Sequence, residues 1–174
     1  METLSDKGAA LIDELASTRD AFHTLLESMS DEDLGRQSLN PGWTNGEVFF
    51  HLVLAYNLVP FLVPLLGLFS RLPDQCSRLF ARALDAGTGL FNLVNGLGPR
   101  GGARILTRDR LLTLFDRRNT SIMKMVASTK DQDWTLGMHY PERWEPLFGE
   151  FMTLEDVVRY PTIHFRFHVD QLSR

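Results

Sequence analysis

The run Val48-Phe49-Phe50-His51-Leu52-Val53-Leu54-Ala55-Tyr56 constrains this chain more than any other stretch. It is apolar on nearly every side and offers water no polar stripe, so as a helix it is stable only where other helices surround it. Its start is sharp. Thr44-Asn45-Gly46-Glu47 is a capping box, in which Thr44 and Glu47 satisfy each other's orphan amides.

The chain supplies helices to enclose that run. Residues 5–29 carry Leu11, Leu15, Phe22, Leu25, Leu26 and Met29 at helical spacing. Ser30-Asp31-Glu32-Asp33-Leu34 reads as a short capped turn of helix, and Asn40-Pro41-Gly42 as a break. From Thr107 to about Ser128 another helix presents Leu111, Leu112, Leu114, Phe115, Ile122 and Val126, with Met123 and Met125 as core filler. Its arginines form a solvated face suited to pairing with the acidic first helix. Residues 131–152 read as irregular and aromatic. Thr153-Leu154-Glu155-Asp156 then opens a last helix, which Pro161 should kink one turn ahead of His164. The expected fold is all-α: a four-helix bundle with an inserted apolar helical segment near 58–105, in a single domain spanning 1–174.

The insert is the least usual part. The apolar stretch continues from Asn57 to Phe69 past Pro60 and Pro64, and from Val48 it is long enough for a membrane span. His51, Asn57 and the two prolines favour a buried or pocket-lining segment instead. A helix is expected from about Asp74 to Asn95, weakened at Gly87 and Gly89. Gly96-Leu97-Gly98-Pro99-Arg100-Gly101-Gly102 reads as a flexible loop between helices. It lacks both the ending of a P-loop and the strand that precedes a dinucleotide-binding glycine motif.

Composition narrows the function. At 174 residues, 44% hydrophobic and 23% charged, the chain is a globular protein with a real core. A net charge of −4 argues against nucleic acid as a partner. The single cysteine, Cys76, excludes an internal disulfide and a cysteine-based zinc cluster, and it fits a reducing compartment. The N-terminus lacks the basic-then-apolar pattern of a signal peptide, so a cytoplasmic location is expected.

The candidate chemistry lies in the histidines. His164 and His168 are four apart and share one helix face, with Gln171 three residues further along the same stripe. Ile163, Phe165, Phe167, Val169 and Leu172 surround them, which suggests a largely buried helix. His51 belongs to the central apolar run. Bundles build metal sites from inward side chains on facing helices, and three imidazoles leave a position open for water or substrate. Three such ligands suit zinc, nickel, iron or copper. Gln171 is the best candidate to orient a ligand. Glu47, one turn before His51, is already engaged by the cap. Trp43 and Tyr160 are candidates to line the pocket. His139, in the aromatic loop, either approaches the site or packs on Tyr140, while His23 is expected to face solvent.

The combination of Gly42-Trp43-Thr44-Asn45-Gly46-Glu47, His51-Leu52 and His164-x3-His168-x2-Gln171-Leu172 resembles the DinB-like superfamily, and the resemblance covers most of the chain. It implies a four-helix bundle of up-down-down-up topology, often dimeric. It also implies a divalent metal, zinc, nickel or iron, held by histidines at the positions of His51, His164 and His168. Related enzymes are thiol-dependent, using bacillithiol, mycothiol or glutathione in isomerisation or S-transfer. The mycothiol-dependent maleylpyruvate isomerase branch has a glutamate where this chain has His164, so the chain is closer to the all-histidine type. The implied function is a metal-dependent thiol S-transferase or hydrolase, with a low-molecular-weight thiol as cosubstrate and a small hydrophobic molecule as substrate. The alternative is a non-catalytic, stress-associated metal- or ligand-binding protein that uses the apolar groove. A homodimer is expected, with neither nucleic acid nor membrane as partner.

Overall fold

The computed structural model describes residues 5–105 and 107–173. Among these, helices α1 (Asp6–Ser28), α2 (Asp31–Gly35), α3 (Asn45–Phe69), α4 (Asp74–Ala86), α5 (Thr88–Ile105), α6 (Arg108–Ser128) and α7 (Leu154–Val169) dominate. A 3-10 turn at Asp131–Thr135 precedes strands β1 (Gly137–His139) and β2 (Phe151–Thr153), which pair antiparallel. The fold is all-α apart from this small ribbon.

The side-chain pairs between helices give the direction of each. Arg108 at the start of α6 reaches the Leu26 carbonyl near the end of α1, and Arg19 meets Asp116 at 2.7 Å, so α1 and α6 are antiparallel. Glu14 pairs with Arg159 and Thr18 with Thr162, so α1 and α7 run parallel. Asn45 meets Ser173 while His51 meets His164, so α3 opposes α7. Taking α1 as up, α3 and α6 run down and α7 runs up, the topology that the resemblance implies.

The apolar run of α3 is enclosed as its composition demands. Val48, Phe49, Leu52, Tyr56 and Val59 are fully buried. Phe22 of α1 stacks on Phe115 of α6 at 3.8 Å and meets Phe49 edge-on at 5.4 Å, locking three helices together. The whole of α3 is also long and apolar enough to cross a membrane, with mean hydropathy 2.1 over its most apolar window.

Several sequence expectations are corrected. The helix expected over Asp74–Asn95 is two helices, because the chain turns at Gly87, whose amide donates to the Leu84 carbonyl at 2.8 Å. The segment Gly96–Gly102 is not a flexible loop but part of α5. Its glycines allow close approach to α3: a Cβ on Gly102 would overlap the Phe50 ring. Tertiary bonds then hold this poor helix former in place, with Arg100 donating to the Gly42 carbonyl at 3.2 Å and Trp43 Nε1 to that of Gly96 at 3.4 Å. α3 continues through Pro60 and Pro64, which are one turn apart and so forfeit their hydrogen bonds on one side of the helix. The irregular 131–152 region contains the 3-10 turn, β1 and the first two residues of β2. Finally, α7 is largely buried, as expected, but Ile163 and Phe167 are 42% and 48% exposed, and the helix ends at Val169, short of Gln171.

Candidate metal centre

Two capping boxes set the helices that carry the histidines. At α3, Thr44 accepts from the Glu47 amide while the Glu47 carboxylate accepts from the Thr44 amide at 2.8 Å. At α7, Thr153 and Asp156 do the same. The far end of α7 is tied to the start of α3. Asn45 donates to the Ser173 carbonyl at 2.9 Å and accepts from the Ser173 amide at 3.0 Å, and the Leu39 amide donates to the Gln171 carbonyl at 2.7 Å. These links bring the middle of α7 against the second turn of α3.

The result is a cluster of three buried imidazoles. Each of His51, His164 and His168 offers one ring nitrogen, and the three atoms lie within 4.8 Å of one another. His51 Nε2 and His164 Nε2 are 3.1 Å apart. Burial, with the nearby His168, lowers the His51 pKa to about 3. Burial, then His168 and His51, lowers that of His164. Burial also lowers His168, opposed by its bond to Gln171. All three are therefore neutral near pH 7, the form that ligates metals.

Neighbouring side chains fix the rings. His168 Nδ1 lies 2.9 Å from Gln171 Oε1, an acceptor, so Nδ1 carries the proton and the Nε2 lone pair is left for the cluster. Asn40 donates to the same oxygen at 3.3 Å and holds the amide in that orientation. The Trp43 ring lies 4.5 Å from His51 and 6.2 Å from His168, and the Tyr160 ring 5.2 Å from His164. Gln171, Trp43 and Tyr160 thus surround the cluster, although Gln171 reaches it from beyond the helix end.

The donor set fits a metal. Ligands about 2.0–2.1 Å from a tetrahedral metal are roughly 3.3 Å from each other, close to the 3.1 Å between His51 and His164. Two neutral Nε2 atoms facing each other in an apolar interior satisfy at most one hydrogen bond, whereas a cation between them uses both lone pairs.

The remaining candidates fall elsewhere. Glu47 is occupied by the cap of α3. His139 is buried but turned to the insert: strand pairing aims its ring so that Nε2 meets Asp74 at 3.0 Å and Nδ1 meets the Glu150 carbonyl at 3.1 Å. It packs on Phe151, not Tyr140. His23 is half-buried between helices, its Nε2 2.8 Å from Asp116, instead of facing solvent.

A residue that sequence reasoning missed sits beside the cluster. Glu145, in the loop before β2, is buried, with Oε2 3.7 Å from His164 Nε2. It accepts from the Tyr160 hydroxyl at 3.2 Å and from the Leu147 amide at 3.3 Å, and burial raises its pKa. The available signal was a lone acid within Trp144-Glu145-Pro146-Leu147-Phe148, where an exposed loop would carry few such apolar neighbours.

The cluster opens on a cavity of about 620 Å³ with an almost wholly apolar wall. His51, His164, Glu145 and Tyr160 line one part of it, and Leu58, Phe61, Phe91 and Trp144 are among the residues lining the rest. The insert builds much of that wall. Phe91 of α5 stacks on Trp144 at 4.3 Å, and Trp144 Nε1 donates to the Leu84 carbonyl at 2.8 Å.

Comparison with known proteins agrees with this architecture. The model of the DinB superfamily matches residues 14–172, and the chain belongs to that superfamily. No curated protein and no solved structure matches it.

Proposed function

From its membership of the DinB superfamily, we propose that this protein is a metal-dependent enzyme acting on a small apolar molecule, in thiol S-transfer or in hydrolysis. The carrying observation is the convergence of three buried, neutral imidazoles at one end of an apolar cavity. His51, His164 and His168 would hold a divalent ion, zinc, nickel or iron. When bound, such an ion acts as a Lewis acid that lets a thiol or water ionise near neutral pH.

The chain's own residues do the rest. Gln171 holds the proton of His168 on Nδ1, Trp43 packs against two of the rings, and an apolar, partly aromatic wall lines the approach to the site. The apolar lining favours a hydrophobic substrate, with a low-molecular-weight thiol as the second reactant.

Elemental analysis of the purified protein tests the centre: about one metal per chain is expected, and His168→Ala should abolish uptake. Unchanged metal content in that variant would remove the assignment. Turnover is then assayed with a panel of thiols and electrophiles. The second reading, a non-catalytic metal- or ligand-binding protein, is favoured by the cavity's lining, which among the described residues contains neither serine nor cysteine. It predicts ligand binding without metal-dependent turnover in that panel.

We further propose a cytoplasmic homodimer without nucleic-acid or membrane partners. Leu90, Leu93 and Leu97 support the dimer, since they form one exposed apolar stripe along α5.

A further inference from the structure

We propose that Glu145 is a fourth protein ligand of the metal centre, converting three neutral imidazoles into a three-histidine, one-carboxylate site. The inference rests on the metal-centre reading above and deepens it.

The first ground is charge. Glu145 is 8% exposed, and its hydrogen-bond donors are a phenol and a backbone amide. Among the described residues, the one basic group within ion-pair reach is His164, at 3.7 Å. A buried carboxylate without a cation is costly. A divalent ion held by the three histidines would place that cation beside the carboxylate.

The second ground is distance. Adjacent ligands of a tetrahedral centre with bonds of about 2.0–2.1 Å are roughly 3.3 Å apart. From His164 Nε2 the separations are 3.1 Å to His51 and 3.7 Å to Glu145; the carboxylate lies outside the 4.8 Å group of the three imidazoles and would close on the ion as it binds.

The third ground is that the loop is built to hold the carboxylate there. The Phe148 amide donates to the Glu145 carbonyl at 3.0 Å, the Trp144 amide to that of Pro141 at 3.2 Å, and the Trp144 indole is clamped by Leu84 and Phe91. Tyr160, one turn before His164 on α7, then aims one carboxylate oxygen at the cluster side. A carboxylate oxygen among imidazoles suits zinc, nickel or iron and disfavours soft Cu(I).

The test uses the full chain, stripped of metal and titrated with Co(II) and with Zn(II). Wild type should bind one ion, with the visible Co(II) bands of a low-coordinate site. Glu145→Gln keeps the shape and removes the charge. It should shift those bands, weaken binding on the order of 10–100-fold, and reduce the rise in Tm that metal produces. The metal-free variant should melt no lower than metal-free wild type, because it buries no unpaired charge; a merely structural role predicts the opposite. Glu145→Asp, which retains the charge on a shorter arm, should fall between the two and serves if the Gln variant folds poorly. Wild-type affinity together with a superimposable Co(II) spectrum in Glu145→Gln would overturn the proposal, leaving the histidine centre intact if His168→Ala still loses metal. A folded wild type that binds neither ion would overturn both.

Discussion

At the residue scale, the three imidazoles sit in an interior that penalises their charged forms, and this has consequences for pH. The His51 pKa falls from its ordinary 6.5 to about 3 in the folded chain. Between those values the unfolded chain binds the proton and the folded chain does not, so stability rises with pH across the window. The metal-free protein should therefore be fully stabilised above about pH 6.5 and lose stability progressively as pH falls toward 3, with His164 and His168 adding in the same direction. Urea midpoints of stripped protein between pH 7 and pH 4 check this; a midpoint that holds constant or rises on acidification would contradict it. Gln171 acts on the same ring through its 2.9 Å bond to His168. Gln171→Ala should weaken metal binding by roughly 10-fold or more while leaving stoichiometry at one, as loss of a ligand-orienting bond does elsewhere. Isothermal titration with Zn(II) measures it.

At the scale of the element, the capping boxes fix where α3 and α7 begin, and so which turns bear the histidines. Thr44→Ala removes the acceptor for the Glu47 amide and should cost about 1 kcal/mol in chemical denaturation. The effect should exceed that of an alanine at exposed Thr113, whose hydroxyl bonds only within α6. α5 is the opposite case, a helix that local preference does not favour. It carries Pro99 and several glycines, and it persists because Arg100, Trp43 and Phe50 anchor it from outside. The reading of Gly96–Gly102 as a loop followed propensity correctly and failed because close backbone approach to Phe50 rewards the residue that propensity counts against.

For the whole molecule, burial decides what remains exposed. The bundle satisfies α3 on its N-terminal half, while the insert covers the cavity with one face of α5 and turns the other outward. Leu93 and Leu97 are 56% and 51% exposed on that outer face. If a second copy covers them, light scattering after size exclusion should give twice the chain mass. Leu93→Glu should then shift the protein to monomer with its helicity intact, and a wild-type monomer at micromolar concentration would refute the dimer.

The bundle, its caps and its three inward histidines were legible in the sequence, because each is a local pattern. A period of 3.6 residues marks the buried face, Thr-x-x-Glu and Thr-x-x-Asp mark the starts, and a four-residue spacing aligns His164 with His168. His51 could be nominated because it lies in a run too apolar to be exposed. What tertiary structure alone decided were the contacts between segments distant in the chain. Glu145 meets His164 because an aromatic loop is clamped by α4 and α5, and His139 is drawn away to Asp74 by the pairing of two three-residue strands. Periodicity carries no information about such meetings, since they depend on where loops close and not on the face a residue occupies.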